Sequence, residues 1–379
     1  AVLNPAYRLY SDEDLRRKLV YVEASRDCPF ACAFCQSAIK TARAEDSPHA
    51  EASRRKSVRE FPLDGFLSGM EDLLERLFSV RRISEKSVPP SALKRPTIKF
   101  LDRSFNADIP RALSIMEFFL EKMSRVSAGF QLHFEMVPSL FSPDLIKMIS
   151  RFPPETLRLE LGVQSLNPEV CAAIGRPSFP EKELETLALL RARTNAIIHA
   201  DLIAGLPGED CASFGDGFDR LWQALTVSSV SGGMSGAGPG TADTIAPPRL
   251  PSAAPPFEIQ LGILKGLPGT PLGKLDKKFG MRYSPEPPYE VIETAALGKA
   301  DLDRLRNFAR FWELIVNRPW KAGGNPAAAL LVPGKPVFRP FMDLAEKLFR
   351  FFGRNWGIDR KALGGAVLDF SGRDAITGA

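Results

Sequence analysis

The sequence is poor in cysteine, with five in 379 residues. So few thiols in a chain this long cannot build a disulfide scaffold, and a reducing, cytoplasmic setting is expected. Long apolar runs are lacking too. None approaches the ~18 residues of a membrane span, so no membrane partner is expected. The opening AVLNPAYRLYSDEDLRR has neither a basic-then-apolar leader nor an initiator Met, which leaves open that the chain is a piece of something longer. Charge of one sign is also scarce. A formal net charge of +5 and the lack of an aromatic-basic patch argue against nucleic acid. The one basic run, Arg54-Arg55-Lys56, reads as a solvated loop. Hydrophobic and charged contents of 44% and 25% are those of a globular protein with room for one large domain or two ordinary ones.

What is present is an alternation of short strand-like runs with longer helical ones. Strands are expected at 19–25, 97–102, 130–137, 157–165, 197–205 and 257–264. Between them, Phe66, Met70, Leu73, Leu74 and Leu77 recur at helical spacing, as do Ile109, Leu113, Met116, Leu120 and Met123. Ser142 followed by Pro143 reads as a helix cap and first helical position. Leu184 and Leu187, then Phe214, Phe218, Leu221, Trp222 and Leu225, continue the pattern. Strand and helix repeated in this way argue for parallel strands joined by crossovers. Residues 226–256, rich in Gly, Ser, Ala and Pro, read as a disordered insertion. Beyond residue 266 the rhythm ends, and a Pro-rich link at 283–290 leads to helices.

The strands alternate in polarity. In LRLELGVQS, Arg158, Glu160, Gly162 and Gln164 share one face while Leu157, Leu159, Leu161 and Val163 share the other. His133 and Glu135 pair in the same way on one strand, and His199 and Asp201 on another. Parallel strands covered on both faces usually read as continuous apolar runs. If helices take the apolar face, the polar face looks inward, as in a barrel holding something polar. The expected fold class is therefore α/β, a partial (βα)6 TIM-like barrel with a helical C-terminal extension. Its expected divisions are a linker over 1–17, a core over 18–270 and a mostly helical region over 271–379. An antiparallel sheet with one wet face is the alternative that the intervening helices disfavour. Barrel sites sit at the C-terminal ends of the strands.

The cysteine loop lies at such an end. CPFACAFC places Cys28, Cys32 and Cys35 in eight positions just after the first strand. Three thiolates do not complete a tetrahedral zinc site, although Cys171, Cys211 or a His could supply a fourth ligand. Iron–sulfur clusters also take cysteine thiolates. Three of them around a four-iron cluster leave one iron open to chelate a small molecule through adjacent amino and carboxylate groups.

This spacing after the first strand of an incomplete barrel resembles the radical S-adenosylmethionine superfamily over roughly residues 15–270. The segments VEASRDCPFACAFCQSAI, KFLDRSFNAD, LELGVQSLNPE, DLIAGLPGED and IQLGILKGLPGTPL resemble the core of an uncharacterised branch whose members carry an N-terminal cobalamin-binding domain. No D-x-H-x-x-G cobalamin loop is present in the sequence. The segment NPAYRLYSDEDL resembles the linker that would follow such a domain. The chain is thus expected to be a truncated member or a natural one without that domain.

The resemblance implies roles. Cys28, Cys32 and Cys35 would hold a 4Fe-4S cluster, with Phe34 beside the cluster and the adenine of S-adenosylmethionine. Asp102, Arg103 and Ser104 stand where relatives hold the methionyl amino group, often with Gly-Gly-Glu instead. Glu135 would meet the amino group or the ribose. Gln164 and Ser165 would touch the ribose or the methionyl portion. Arg176 would pair with the methionyl carboxylate, and Asp201 would grip ribose hydroxyls. Gly205 would let backbone approach the adenine, on which Leu261 and Leu264 would pack. His133 and His199 read as hydrogen-bonded interior residues, and Cys171 and Cys211 as packing residues.

The expected activity is reductive cleavage of S-adenosylmethionine to start radical chemistry on a small-molecule substrate, with an electron donor such as flavodoxin or ferredoxin. Methyl transfer comes first if cobalamin is supplied by a domain outside this chain. Without cobalamin, dehydrogenation or rearrangement moves ahead. A non-catalytic zinc or iron–sulfur binding module is the alternative from another class.

Overall fold

In the computed structural model the described residues are 6–17, 19–39, 58–85, 95–124, 129–227, 257–320 and 324–372. Six strands, β1 (Val20–Val22), β2 (Thr97–Phe100), β3 (Gln131–Met136), β4 (Leu157–Gln164), β5 (Ile197–Ala204) and β6 (Phe257–Ile263), lie side by side in chain order. Every neighbouring pair is parallel. All six fall inside the stretches expected from the alternation. Most of the Gly/Ser/Pro-rich insertion lies outside the described residues.

The crossovers are helical. Helix α1 (Leu63–Glu85) joins β1 to β2, and α2 (Ile109–Ser124) joins β2 to β3. Helix α3 (Pro143–Ser150) leads to β4, and α4 (Pro168–Ala173) with α5 (Pro180–Arg193) leads to β5. Helix α6 (Cys211–Thr226) precedes β6. The apolar stripe of α1 faces inward, with Phe66, Met70, Leu73, Leu74 and Leu77 all buried. The cap of α3 is the one expected: Ser142 Oγ accepts from the Leu145 amide at 3.2 Å, and Pro143 stands in the first turn.

Alternation along the strands is equally clean. In β4 every second residue is buried against the helices, from Leu157 to Val163, and the intervening residues are half-buried. Aromatic packing fills the space between sheet and helices at the β2–β3 side. The rings of Phe105 and Phe134 lie 4.1 Å apart, and those of Phe100 and Phe134 lie 4.6 Å apart.

The C-terminal region contains helices α7 (Lys299–Trp312), α8 (Phe338–Phe352) and α9 (Arg360–Gly372). It sits on the outer face of α6 and along the free edge of β6. Phe218 of α6 packs edge-on against Trp312 at 4.8 Å. Asp219 Oδ1 accepts from the amides of Val337 and Phe338 at 2.6 and 2.7 Å, so α6 caps the start of α8. Asn317 donates its side-chain amide to the Ile259 carbonyl at 3.0 Å, on the exposed side of β6. Unlike the link expected from the prolines, residues 283–290 bring back a short antiparallel ribbon, Arg282–Tyr283 with Val291–Glu293. β-Branched Val291 and Ile292 favour that pairing, and the Val291 amide donates to the Leu264 carbonyl at 2.8 Å.

At the opposite edge, two phenols pair with β1. Tyr10 OH accepts from the Tyr21 amide at 2.8 Å and donates to its carbonyl at 3.0 Å. Tyr7 OH does the same for Glu23, at 3.0 and 3.1 Å. Among the described residues no helix is long and apolar enough to cross a membrane.

Candidate functional site

The three cysteines leave the C-terminal end of β1. After Ser25–Arg26, which pair with Arg59–Glu60, the chain turns through Asp27 in the left-handed region at φ 78°. Asp is one of the few residues that tolerate this conformation. Asp27 also holds Arg59 at 3.0 Å. Cys35 then closes a tight turn by donating its amide to the Cys32 carbonyl at 2.9 Å. None of the three is in a disulfide; Cys32 is buried and the other two are half-buried.

The neighbouring loops hold this one in place. Asp102, at the end of β2, accepts from the Ala24 amide at 2.9 Å and from Ser25 Oγ at 2.7 Å. Both of its oxygens are thus engaged in fixing the start of the cysteine loop. Ser104 Oγ lies 3.2 Å from Cys28 Sγ. Asn106 and Val137 exchange two hydrogen bonds of 2.9 Å, locking the loop after β2 to the end of β3. From the other side, the Ala33 amide donates to the Ile174 carbonyl at 2.8 Å. Arg176, nearly buried, donates to the Gly162 carbonyl and reaches the Cys32 thiol. Burial pushes both the Cys28 and Cys32 thiols up; the Ser104 hydroxyl opposes this at Cys28, and the Arg176 guanidinium opposes it at Cys32. Behind the loop is a hollow of about 220 Å³ lined by Ser25, Pro29, Asp102, Ser104 and Arg111. A separate groove of about 500 Å³ runs along the flank of β1 past Tyr7, Tyr21 and Phe61 and includes none of the three cysteines.

The polar face of the sheet forms a ladder of charges. Lys99, His133 and Arg158 stand in register across β2, β3 and β4. Glu135, Glu160, His199 and Glu258 form the next row, followed by Gly162, Asp201 and Gln260. Lys99 Nζ binds Glu160 at 2.9 Å and Glu135 at 3.3 Å. Arg158 binds Glu258 at 2.6 Å, and Arg103 reaches Glu135 at 3.4 Å. His133 and Lys99 hold the Glu160 carboxyl down at about 2. Burial, then the charges of Glu160 and Glu135, push Asp201 up to about 8. A protonated Asp201 is a hydrogen-bond donor at neutral pH, and its Oδ1 has no hydrogen-bond partner among the described residues. His199 Nε2 stands 3.6 Å from that oxygen, and burial lowers the His199 pKa.

Gln164 ends β4 at a bulge, with φ 70°. Its side chain folds back over Gly162, where an added Cβ would fall 2.4 Å from Gln164 Nε2. Ser165 turns away and donates to Glu209 Oε1 at 2.5 Å. Phe34 is half-buried against the core. Gly205, at φ 87°, faces the C-terminal region: a Cβ there would meet Val291 Cγ1 at 2.6 Å. That approach of chain to chain is sufficient reason for a glycine. Leu264 is buried, and Cys171 donates to the Ser165 carbonyl at 3.3 Å.

The structure therefore gathers Cys28, Cys32, Cys35, Ser104 and Arg176 at one rim. It places Glu135 and Asp201 on the ladder, with Asp102 behind the loop. Several participants had no role assigned from the sequence. Lys99 was legible in the alternation of TIKF, because it shares a face with the inward residues of β3. Glu183 and Glu209 carried no such signal, since they lie in or beside helical segments and become buried only through packing.

A single ion needs its donors close together, about 2.3 Å from a zinc to each sulfur. Among the described residues no three His, Cys, Asp or Glu side chains converge in that way. A cluster binds each thiolate on a different iron and asks for a wider arrangement. Three thiols on one braced loop, none in a disulfide and with a buried cation beside them, are the type of donor such a cluster takes.

No protein of curated function matches the chain. Among solved structures, the fold is similar to the cobalamin-dependent S-adenosylmethionine radical enzyme OxsB with aqua-cobalamin bound, at 12% identity and a TM-score of 0.50, covering 96% of this chain and 55% of that one. It is also similar to the radical S-adenosylmethionine methyltransferase TsrM from Kitasatospora setae with cobalamin and a [4Fe-4S] cluster bound, at 12% identity and a TM-score of 0.48, covering 96% and 62%. The chain thus spans about three fifths or less of the length of these relatives. The family model described as the radical SAM superfamily matches residues 22–219, more than half of the sequence and all of the cysteine loop. On that match, the chain belongs to the radical S-adenosylmethionine superfamily, whose cofactors are a [4Fe-4S] cluster and S-adenosylmethionine.

Proposed function

We infer that Cys28, Cys32 and Cys35 hold the cluster, and that the chain starts radical chemistry on a small-molecule substrate. The braced three-thiol loop at the strand ends carries this reading. When bound, cluster and cofactor together supply reductive cleavage of a carbon–sulfur bond and a radical able to abstract hydrogen. The chain's own residues bind and orient. Asp102 and Ser104 fix the loop. Asp201, with an unpartnered buried oxygen, and Gln164, at the open end of β4, are the groups offered to the cofactor's ribose and methionyl portions. Glu135 is already neutralised by Lys99 and Arg103, so it takes part only by exchanging one of those partners.

For the reaction class we propose methyl transfer with cobalamin supplied from outside this chain. The sequence likeness to a cobalamin-linked branch supports this, as does the description of OxsB as cobalamin-dependent. Anaerobic reconstitution tests both levels. Reduced, iron-loaded protein should form 5′-deoxyadenosine from S-adenosylmethionine, and failure to take up iron and sulfide would end the reading. Added cobalamin should become methylated at the expense of S-adenosylmethionine. Cleavage without methylation favours dehydrogenation or rearrangement instead.

A further inference from the structure

Arg176 is a buried cation whose charge is felt by the carboxyl of Glu183, with no hydrogen bond between the two side chains among the described residues. Its exposure is 8%, and its Nε has no hydrogen-bond partner. One terminal nitrogen donates to the Gly162 carbonyl at the β4 bulge. Its side chain also reaches the Cys32 sulfur, and its charge acts on that of Cys28. The approach is built into the backbone. The Ala33 amide pairs with the Ile174 carbonyl at 2.8 Å, and Gly175 sits at φ 66° where a Cβ would stand 3.4 Å from the Ala31 carbonyl. The loop that delivers Arg176 is therefore docked onto the cysteine loop just before its last residue points at Cys32. Glu183, fully buried, faces the same arginine; burial pushes its carboxyl up, and the Arg176 charge opposes this.

A buried charge needs a counter-charge. Among the described residues the groups near enough to share that role are the carboxyl of Glu183 and the sulfurs of the cysteine loop. Three thiolates on a four-iron core give a group of net negative charge, and one-electron reduction makes it more negative. Hydrogen bonds and positive charge at the sulfurs favour the reduced form.

We propose that Arg176 is a positioning residue for Cys32 which raises the reduction potential of the cluster, so that a weaker one-electron donor suffices to reduce it. The proposal rests on the cluster assignment above, and it asks of Arg176 something other than pairing with the cofactor's carboxylate. The electron comes from an external low-potential donor and ends on the cluster; no proton or bond change is required of the arginine.

The test is a redox titration of reconstituted protein without S-adenosylmethionine, with dithionite as reductant and electron paramagnetic resonance as readout. Arg176→Gln should take up iron as wild type does and show a more negative midpoint. Arg176→Lys keeps the charge but loses the planar fork of donors, so its midpoint should fall between the two. An unshifted midpoint in either variant overturns the proposal. If Arg176→Gln does not assemble a cluster, the midpoint of Arg176→Lys decides. Wild type that assembles no cluster defeats the cluster assignment itself, whereas a normal cluster with unshifted variants defeats only the role of Arg176.

Discussion

Ser165 and Glu209 share a hydrogen bond of 2.5 Å that ties the end of β4 to the loop after β5. Burial raises the Glu209 carboxyl from 4.5 to about 7, and its second oxygen has no partner. Between those two values the folded chain keeps a proton that the unfolded chain has released. Stability therefore falls as pH rises through that window and levels off above it. Glu209→Gln has no proton to lose. Relative to wild type it should gain stability from pH 5 to pH 8, by at most roughly 3 kcal/mol at about 1.36 kcal/mol per unit. Urea unfolding at the two pH values checks this, and parallel profiles would contradict it.

Each cysteine of the loop should be indispensable. Cys28→Ala, Cys32→Ala and Cys35→Ala are each expected to lower iron and sulfide per chain and to abolish 5′-deoxyadenosine formation. A variant with normal turnover is not missing a ligand.

Asp201 offers an unpartnered oxygen on the inward face of β5. Replacing it by Ala should weaken S-adenosylmethionine binding by roughly 1–3 kcal/mol, the scale of a lost buried hydrogen-bond partner. Anaerobic equilibrium dialysis measures it. Unchanged affinity would take Asp201 out of the cofactor site.

Asp102 behaves differently. Its oxygens receive Ala24 N and Ser25 Oγ, so Asp102→Ala leaves an amide and a hydroxyl behind the cysteine loop without their acceptor. A thermal melt should show a stability loss of about 1–3 kcal/mol before any cofactor is added. Loss of cofactor affinity with no change in melting would instead point to direct contact with the methionyl ammonium.

The cap supplied across helices by Asp219 gives a test of the C-terminal packing. Asp219→Ala removes the acceptor of two amides at the start of α8 and should cost about 1–2 kcal/mol in urea unfolding.

Much of this is legible in the sequence alone. Period-two alternation in LRLELGVQS gave both the strand and its inward face, because a residue's side of a sheet follows directly from its position along the strand. Ser142-Pro143 announced its helix because the cap is local chemistry. The cysteine spacing was legible for the same reason. What escaped notice depends on distant contacts. That the two Asp102 oxygens turn to Ala24 and Ser25, 78 and 77 positions earlier in the chain, is recorded by no local pattern. The steric reason for Gly205 lies in Val291, on the returning ribbon. The ribbon itself was hidden by the prolines around it, which read as a link.

A barrel of six strands that stops short of closing is left with two exposed margins, each able to recruit a strand from another molecule. Here the margin at β1 is occupied by the hydroxyls of Tyr7 and Tyr10, which stand in for the missing neighbour's peptide groups. Asn317 does the same for one carbonyl at β6. The incomplete cylinder can thus stay open without its margins becoming a seed for aggregation.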